Sequence, residues 1–215
     1  MRTKLSILSV AAIILPMALT SVQAQAAETA GPFSYPAGLL DAPATLTQPA
    51  GDYAQIGINR IFLEDTTLFD LASLTGATRL REGDGDFKRD TLCLCGTENG
   101  RPLIAWFVAT DSDKVTEVQL EWLEDRDSPE YCQQLEATRL PVRLGRIGLG
   151  MNEKEVHQHL GEASYVDNAG WHYWFSQRFM RNERNLQELE LNWLAIRFDK
   201  TGRVERAFIS QVTNL

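Results

Sequence analysis

Histidine side chains bind metals and transfer protons near neutral pH, and this sequence has three of them: His157, His159 and His172. His157 and His159 lie two residues apart in a segment with a helical pattern. Because an α-helix turns by about 100° per residue, their rings point to nearly opposite sides. Two ligands on one helix face need a spacing of three or four residues. The sequence therefore predicts no metal site and no cofactor.

No group of residues has the pattern of a nucleophilic or acid–base catalyst. A catalytic serine or cysteine needs a base beside it, and neither Ser164 nor Ser176 lies in a glycine-flanked elbow. Aspartate and glutamate number 29 in total, so no pair of carboxylates stands out as a general acid and base. We predict that the chain is not an enzyme. A small hydrolase is the third alternative for its function, and no motif supports it.

The N-terminus has the three parts of a removable signal peptide. Arg2 and Lys4 supply positive charge, a short apolar stretch follows, and small residues offer cleavage after Ala24 or Ala26. The apolar stretch is short for a membrane-spanning helix, and no cysteine follows it that could carry a lipid. We predict a periplasmic protein whose mature chain has no membrane anchor.

Three cysteines, Cys93, Cys95 and Cys132, predict one disulfide in an oxidising compartment. Cys93 and Cys95 alternate along an apparent strand, so their side chains point to the same face. Neighbours two apart on a strand rarely bridge each other. We expect Cys132 to pair with either Cys93 or Cys95, leaving the other cysteine buried.

The charge of the chain narrows the class of partner. The net charge is −8, and removal of Arg2 and Lys4 with the signal peptide would make the chain more acidic. Nucleic acids and anionic membrane surfaces are bound by basic footprints, so both are disfavoured. We predict another envelope or periplasmic protein as the partner, with no nucleic acid.

An aromatic strand and a basic segment supply the candidate partner-binding residues. In the segment 171–175, His172 and Trp174 share one face of a strand and the other three aromatic residues share the opposite face. If the first face is exposed, Trp174 and His172 could anchor a partner. The alternative is that Trp174 lies beneath the insertion 177–187.

That insertion carries three arginines, Arg178, Arg181 and Arg184, at a spacing of three residues. On a helical turn they would line one side and could bind an acidic patch of a partner. The alternative is a solvated loop.

The strongest local signal is a short helix in the second half. Asn152 and Glu155 have the spacing of a capping box, Val156 and Leu160 supply an apolar face, and Gly161 can end the helix. Apparent antiparallel strands follow. Four residues of the first half match this helix in type and spacing: Thr67, Asp70, Leu71 and Gly76.

This repetition predicts an α+β fold with two tandem modules, each a short helix packed on an antiparallel β-sheet. The predicted divisions are a signal peptide at 1–26, a loose leader at 27–52, a first module at 53–124, a linker at 125–146 and a second module at 147–215.

The motif G-M-N-x-x-x-V-x-x-x-L-G from Gly150 to Gly161, followed by the aromatic strand from Trp171, resembles a bacterial envelope module. That module is shared by the outer-membrane assembly lipoproteins of the SmpA/OmlA (BamE) family and by the β-lactamase-inhibitor-protein-like group. The resemblance implies a helix on an antiparallel sheet, and the tandem arrangement is similar to the inhibitor proteins. Ala163 stands where the family usually has proline, and the lipid-bearing cysteine is absent.

Taken together, these features predict a non-enzymatic, protein-binding or cell-envelope maintenance module. The resemblance implies an alternative, which is a proteinaceous inhibitor of a periplasmic or secreted enzyme. Cap and core residues carry the motif, so it bears on fold more than on function.

Overall fold

A computed structural model describes residues 31–82, 88–110, 112–124, 126–181 and 184–214. The predicted signal peptide at 1–26 lies outside the described residues, as do the first residues of the predicted leader.

β-Strands are the commonest regular elements of the described chain, and the elements follow one another in this order: β1 (Tyr53–Ile56), β2 (Asn59–Phe62), α1 (Leu68–Thr75), β3 (Arg79–Glu82), β4 (Arg89–Glu98), β5 (Arg101–Ala109), β6 (Glu117–Trp122), β7 (Gln133–Gln134), a 3-10 turn (Ala137–Arg139), β8 (Val142–Leu144), β9 (Ile147–Gly148), α2 (Glu153–Leu160), β10 (Tyr165–Val166), β11 (Trp171–Arg181), β12 (Gln187–Phe198) and β13 (Val204–Asn214).

The strands form two sheets. The larger has nine strands in the described part of the chain, in the order β10-β11-β12-β13-β6-β5-β4-β3, with the short β7 also beside β4. The smaller has the order β2-β1-β8-β9. β13 and β6 pair antiparallel in the middle of the larger sheet, where Ile209 lies opposite Val118. In the smaller sheet Ala54 lies opposite Leu144, so both sheets combine strands from the two halves of the chain.

The predicted α+β fold of two tandem helix-on-sheet modules is therefore wrong. The structure is a mostly antiparallel β fold, and α1 and α2, of eight residues each, are the only α-helices among the described residues. An unpaired strand edge leaves backbone donors and acceptors without partners, and β6 and β13 satisfy theirs by pairing with each other. The order of elements recurs, as hairpin, helix and four strands, but one continuous sheet joins the two series.

Both helices begin with a capping box, as predicted from the sequence. The Thr67 side chain accepts a hydrogen bond from the Asp70 backbone N–H at 3.0 Å. Asn152 accepts one from the Glu155 N–H at 2.9 Å, and the Glu155 carboxylate accepts one from the Asn152 N–H at 2.9 Å. Gly161 follows α2 with a φ of 75°, a conformation that favours glycine.

The inner face of the larger sheet is covered by both helices and by the smaller sheet. A row of directly paired, buried side chains crosses five strands of this face: Phe107, Val118, Ile209, Leu194 and Trp174. Leu71 of α1 and Val156 of α2 are fully buried against the same core. Leu160, which the sequence placed on the buried face of α2, is only partly buried.

The outer face of the larger sheet is buried as well, because the segment 33–42 crosses it, and the chain then passes the edge of β11 at Leu46. Ala42 is buried there, with Phe33 and Leu39 packed against the same cluster as Tyr173 and Phe208. From residue 31 onward the predicted loose leader is therefore an ordered cover. Its prolines and glycines interrupt regular secondary structure, which accounts for the lack of a long helix or strand in the described part of this segment.

The chain that follows β6 covers the opposite end of the outer face. Cys132 forms a disulfide with Cys93 of β4, with a Cα–Cα distance of 4.7 Å. Cys95 is a free, buried cysteine beside Ile104 and Trp106. The predicted disulfide is confirmed, and Cys93 is the partner of Cys132.

Candidate functional site

The predicted partner-binding residues of the aromatic strand and the basic segment do not lie on one common surface. Trp174 is fully buried beneath the end of α2, where its indole N–H donates to the Gly161 carbonyl at 3.2 Å. His172 lies on the same inner face and is half-buried, with its ring edge-on to Phe198 at 4.9 Å. Of the two alternatives, Trp174 is therefore the covered one, but the end of α2 covers it and not the insertion 177–187.

The predicted stripe of arginines is also not formed. Arg178 and Arg181 lie on β11 rather than on a helical turn, and residues three apart on a strand point to opposite faces. Arg178 is paired with the buried Glu190 through distances of 2.6 and 3.0 Å. Arg181 donates to Asn185 at 2.8 Å, and Arg184 lies beyond the end of the strand. The insertion 177–187 is thus the distal part of the β11–β12 hairpin.

An apolar cleft opens on the outer face between the leader, the middle of β12 and the last residues of β13. It has a volume of about 410 Å³, and its walls include Tyr35 and Leu40 of the leader and Trp193 and Val212 of the sheet. Leu40 is 87% exposed, although it is an aliphatic residue. Ligand pockets in proteins typically have volumes of about 300–1,000 Å³ and mostly apolar walls. The cleft is therefore large enough to take an apolar side chain from another molecule.

Apolar side chains that are exposed (Phe179 and Val212) or partly buried (Leu189 and Leu191) continue from this cleft toward the tip of the β11–β12 hairpin. Val212 lies opposite Leu191, and Leu189 lies opposite Phe179, so these residues share the outer face. Phe179 is 66% exposed. We refer to Val212, Leu191, Leu189 and Phe179 as the apolar strip.

Hydrogen bonds to the sheet fix the leader that forms one wall of the cleft. The Phe33 backbone N–H donates to Gln119 at 2.8 Å, and the Gln119 amide donates back to the Phe33 carbonyl at 3.1 Å. The Gly38 N–H donates to the Tyr173 hydroxyl at 3.0 Å. The Tyr35 hydroxyl donates to the carboxylate of Glu117. The cleft is therefore preformed. A preformed site needs little ordering on binding, which lowers the entropic cost.

Burial shifts the acidity of the groups beneath this wall. Burial, together with the Glu117 carboxylate, raises the pKa of Tyr35 to about 12. Burial also raises the pKa of Glu117, against the opposing effect of the hydrogen bonds from Gln119 and Tyr35. The phenol is consequently protonated at neutral pH and remains a donor.

A second, more polar cleft of about 430 Å³ lies at the same end of β13 but on the opposite face, and includes Glu64 and Lys114 in its walls. Glu64 has a φ of 58°, which is uncommon outside glycine. Its carboxylate accepts hydrogen bonds from the Thr213 N–H at 2.7 Å and the Gln211 amide at 3.3 Å. Glu64 thus holds the end of β13 in place, so this carboxylate serves the fold.

The structure also brings together three possible metal ligands that the sequence pattern alone does not group. Glu153 and His157 lie one turn apart on α2, and His172 of β11 lies beside them. One ligand atom from each residue lies within 4.8 Å of those of the other two. The spacing of two between His157 and His159 excludes a ligand pair on one helix face, but it does not bear on Glu153 or His172. The useful signal was the spacing of four between Glu153 and His157, which places both on one helix face.

No family model, curated protein or solved structure matches this chain. None of the helices in the described residues is long and apolar enough to cross a membrane. The fold and the cleft by themselves define a class: a disulfide-bonded, antiparallel β protein with a preformed apolar cleft on one face of its sheet.

Proposed function

We propose that the chain is a non-enzymatic, protein-binding module of the bacterial cell envelope, exported to the periplasm. The observation that carries the proposal is the preformed apolar cleft, which continues into exposed apolar side chains along the outer face. The resemblance of the segment from Gly150 to Trp171 to envelope modules supports the compartment and the general role.

Exposure of this surface to water is unfavourable, so a partner that covers it gains free energy. Leu40 at 87%, Phe179 at 66% and Tyr35 at 54% are among the most exposed large apolar side chains of the described chain. Contiguous exposed apolar surface commonly marks an interaction site. Burial of one leucine side chain contributes about 1.5–3 kcal/mol, so a few such contacts are sufficient for a measurable interaction.

The chemistry of the site favours an extended polypeptide as the occupant. No described strand pairs with the outer edge of β11 over residues 177–181, next to Phe179. An added strand could hydrogen-bond to this edge, and its alternate side chains would point to the outer face beside the apolar strip. The partner is therefore proposed to be a protein with an extended segment that has apolar residues at every second position. The acidic net charge of −8 disfavours an anionic lipid surface.

The test places a photo-crosslinking amino acid at single positions of the full-length, exported chain. Leu40 and Phe179 report on the proposed surface, and Ile58, which is 92% exposed in the turn between β1 and β2, is the matched control. The expected result is an adduct with the same envelope protein from positions 40 and 179 and none from position 58. Adducts with lipid, adducts with a second copy of the chain, or equal labelling from position 58 would contradict the proposal.

The second part of the test measures the affinity of single variants for the captured protein. Leu40→Asp and Phe179→Asp should each weaken binding by about tenfold or more, while Ile58→Asp should leave it unchanged. Because all three side chains are exposed, none of the substitutions should lower stability. If the captured protein is an enzyme that loses activity at a one-to-one ratio, the role is inhibition and not envelope maintenance.

A further inference from the structure

Three potential ligands converge where α2 packs on β11. Glu153 is the first residue of α2, and His157 follows one turn later on the same side. His172, on the inner face of β11, faces this side of the helix, with its ring centroid 6.4 Å from that of His157. His159 is exposed on another side of α2 and does not belong to the cluster.

The hydrogen bonding of His157 leaves one ring nitrogen available. Its Nδ1 lies 3.2 Å from a carboxylate oxygen of Glu162. Its Nε2 is buried, has no hydrogen-bond partner among the described residues, and lies 4.0 Å from a carboxylate oxygen of Glu153. A carboxylate beside Nδ1 favours the tautomer with the proton on Nδ1, which leaves the lone pair of Nε2 free. This is the arrangement in which histidine binds metals.

His172 is held in position by aromatic neighbours. Its ring stacks on Trp174 at a centroid distance of 6.5 Å and lies edge-on to Phe198. Burial also lowers the pKa of His172 from its ordinary value. The two histidines are therefore presented by different elements but with little freedom to move.

Glu153, the third potential ligand, lies on the side of the cluster that is open to water. The side chain of Glu153 is 49% exposed, whereas that of His157 is 24% exposed. A metal can enter from this side, and a water molecule can complete its coordination. Two histidines and one carboxylate with an open fourth position form one of the common donor sets for zinc.

We propose that Glu153, His157 and His172 bind one zinc ion or a similar divalent transition metal. The present separations, within 4.8 Å, must contract to roughly 3.3 Å for metal–ligand bonds of about 2.0–2.1 Å in a tetrahedral site. Rotation of the exposed Glu153 side chain can shorten the 4.0 Å distance from its carboxylate to His157 Nε2, and small ring rotations of the two histidines must supply the rest. The metal would tie α2 to β11. It would lie on the inner face, separate from the cleft and the apolar strip on the outer face.

Calorimetric titration of untagged, EDTA-treated protein with zinc chloride tests this proposal. One zinc ion should bind per chain, and Glu153→Gln, His157→Gln and His172→Gln should each weaken binding by about tenfold or more. Glu162→Gln should weaken it by a smaller factor, because Glu162 contacts the metal only through His157. His159→Gln, on the same helix, should bind as the wild type does.

Cobalt substitution and thermal unfolding complete the test. Bound Co²⁺ should give the visible absorption of a tetrahedral site in the wild type and in His159→Gln, and lose it in the other two histidine variants. Zinc should raise the melting temperature of the wild type. No zinc binding to the wild type, or wild-type affinity in His157→Gln or Glu153→Gln, would overturn the proposal. If a histidine variant does not fold in EDTA, Glu153→Gln decides, because its side chain is half exposed.

Discussion

Cys132 is bonded to Cys93 across 39 residues of sequence, and this bond holds the chain after β6 against the outer face of β4. Next to the bond, Gln133 of β7 pairs in parallel with Leu94 of β4. The disulfide therefore reinforces a segment that β7 and a hydrogen bond from the Leu135 N–H to the Cys95 carbonyl, at 2.7 Å, also join to the sheet.

Replacing Cys93 by serine should lower the free energy of unfolding by roughly 4 kcal/mol, because the open chain regains the entropy of a loop of 39 residues. Urea unfolding of purified, oxidised protein measures the change. Cys95→Ala is the matched control, since it removes a buried thiol from the same strand without opening a loop. Equal losses from the two substitutions would mean that packing alone accounts for the effect.

The free thiol of Cys95 should be unreactive in the folded protein. It is buried, and this burial raises its pKa to about 11. At pH 8 the reactive thiolate is therefore rare and also inaccessible. A thiol-specific chromogenic reagent should detect no thiol in native protein and one thiol per chain in denaturant without reductant. Rapid labelling before unfolding would show that this part of the sheet opens easily.

The caps and the apolar faces of the two helices should contribute separately to stability. Leu71→Ala should cost about 2–5 kcal/mol because the side chain is fully buried, whereas Leu160→Ala should cost less because its side chain is only partly buried. Asn152→Ala should cost about 1 kcal/mol through loss of the cap. Equilibrium unfolding compares these variants with His159→Ala, an exposed control on α2. A neutral Leu71→Ala would contradict the assignment of the buried face.

Asp90 should make stability depend on pH in the acid range. Hydrogen bonds from Arg81 and Arg79 lower its pKa to about 2, in spite of burial. Because the folded pKa is below the unfolded value, the ionised carboxylate stabilises the fold above about pH 4. This contribution, about 1–2 kcal/mol, is lost as the pH falls through about 2.

Urea midpoints of the wild type and Asp90→Asn, measured from pH 7 down to pH 2, check this dependence. The wild type should be the more stable protein at pH 7, and the difference should shrink below about pH 4. A difference that stays constant to pH 2 would show that the carboxylate charge is not the stabilising feature.

Local patterns were sufficient to predict several elements of this protein. The capping boxes at Thr67 and Asn152 depend on residues only three apart, so the sequence contains all that they need. The common face of Cys93 and Cys95 follows from the alternation of a strand. The choice between them depended on where the chain after β6 returns, which no local pattern specifies.

The tertiary structure decided which surfaces are covered and which groups meet. Alternation correctly separated Trp174 from Tyr173, but the leader and α2 bury both faces of β11, so neither side chain is exposed. The pairing of β6 with β13 turned two similar series of elements into one sheet. His172 meets Glu153 and His157 only because α2 packs on β11. Periodicity gives the direction of a side chain along its own element, whereas burial and site assembly depend on contacts between residues far apart in sequence.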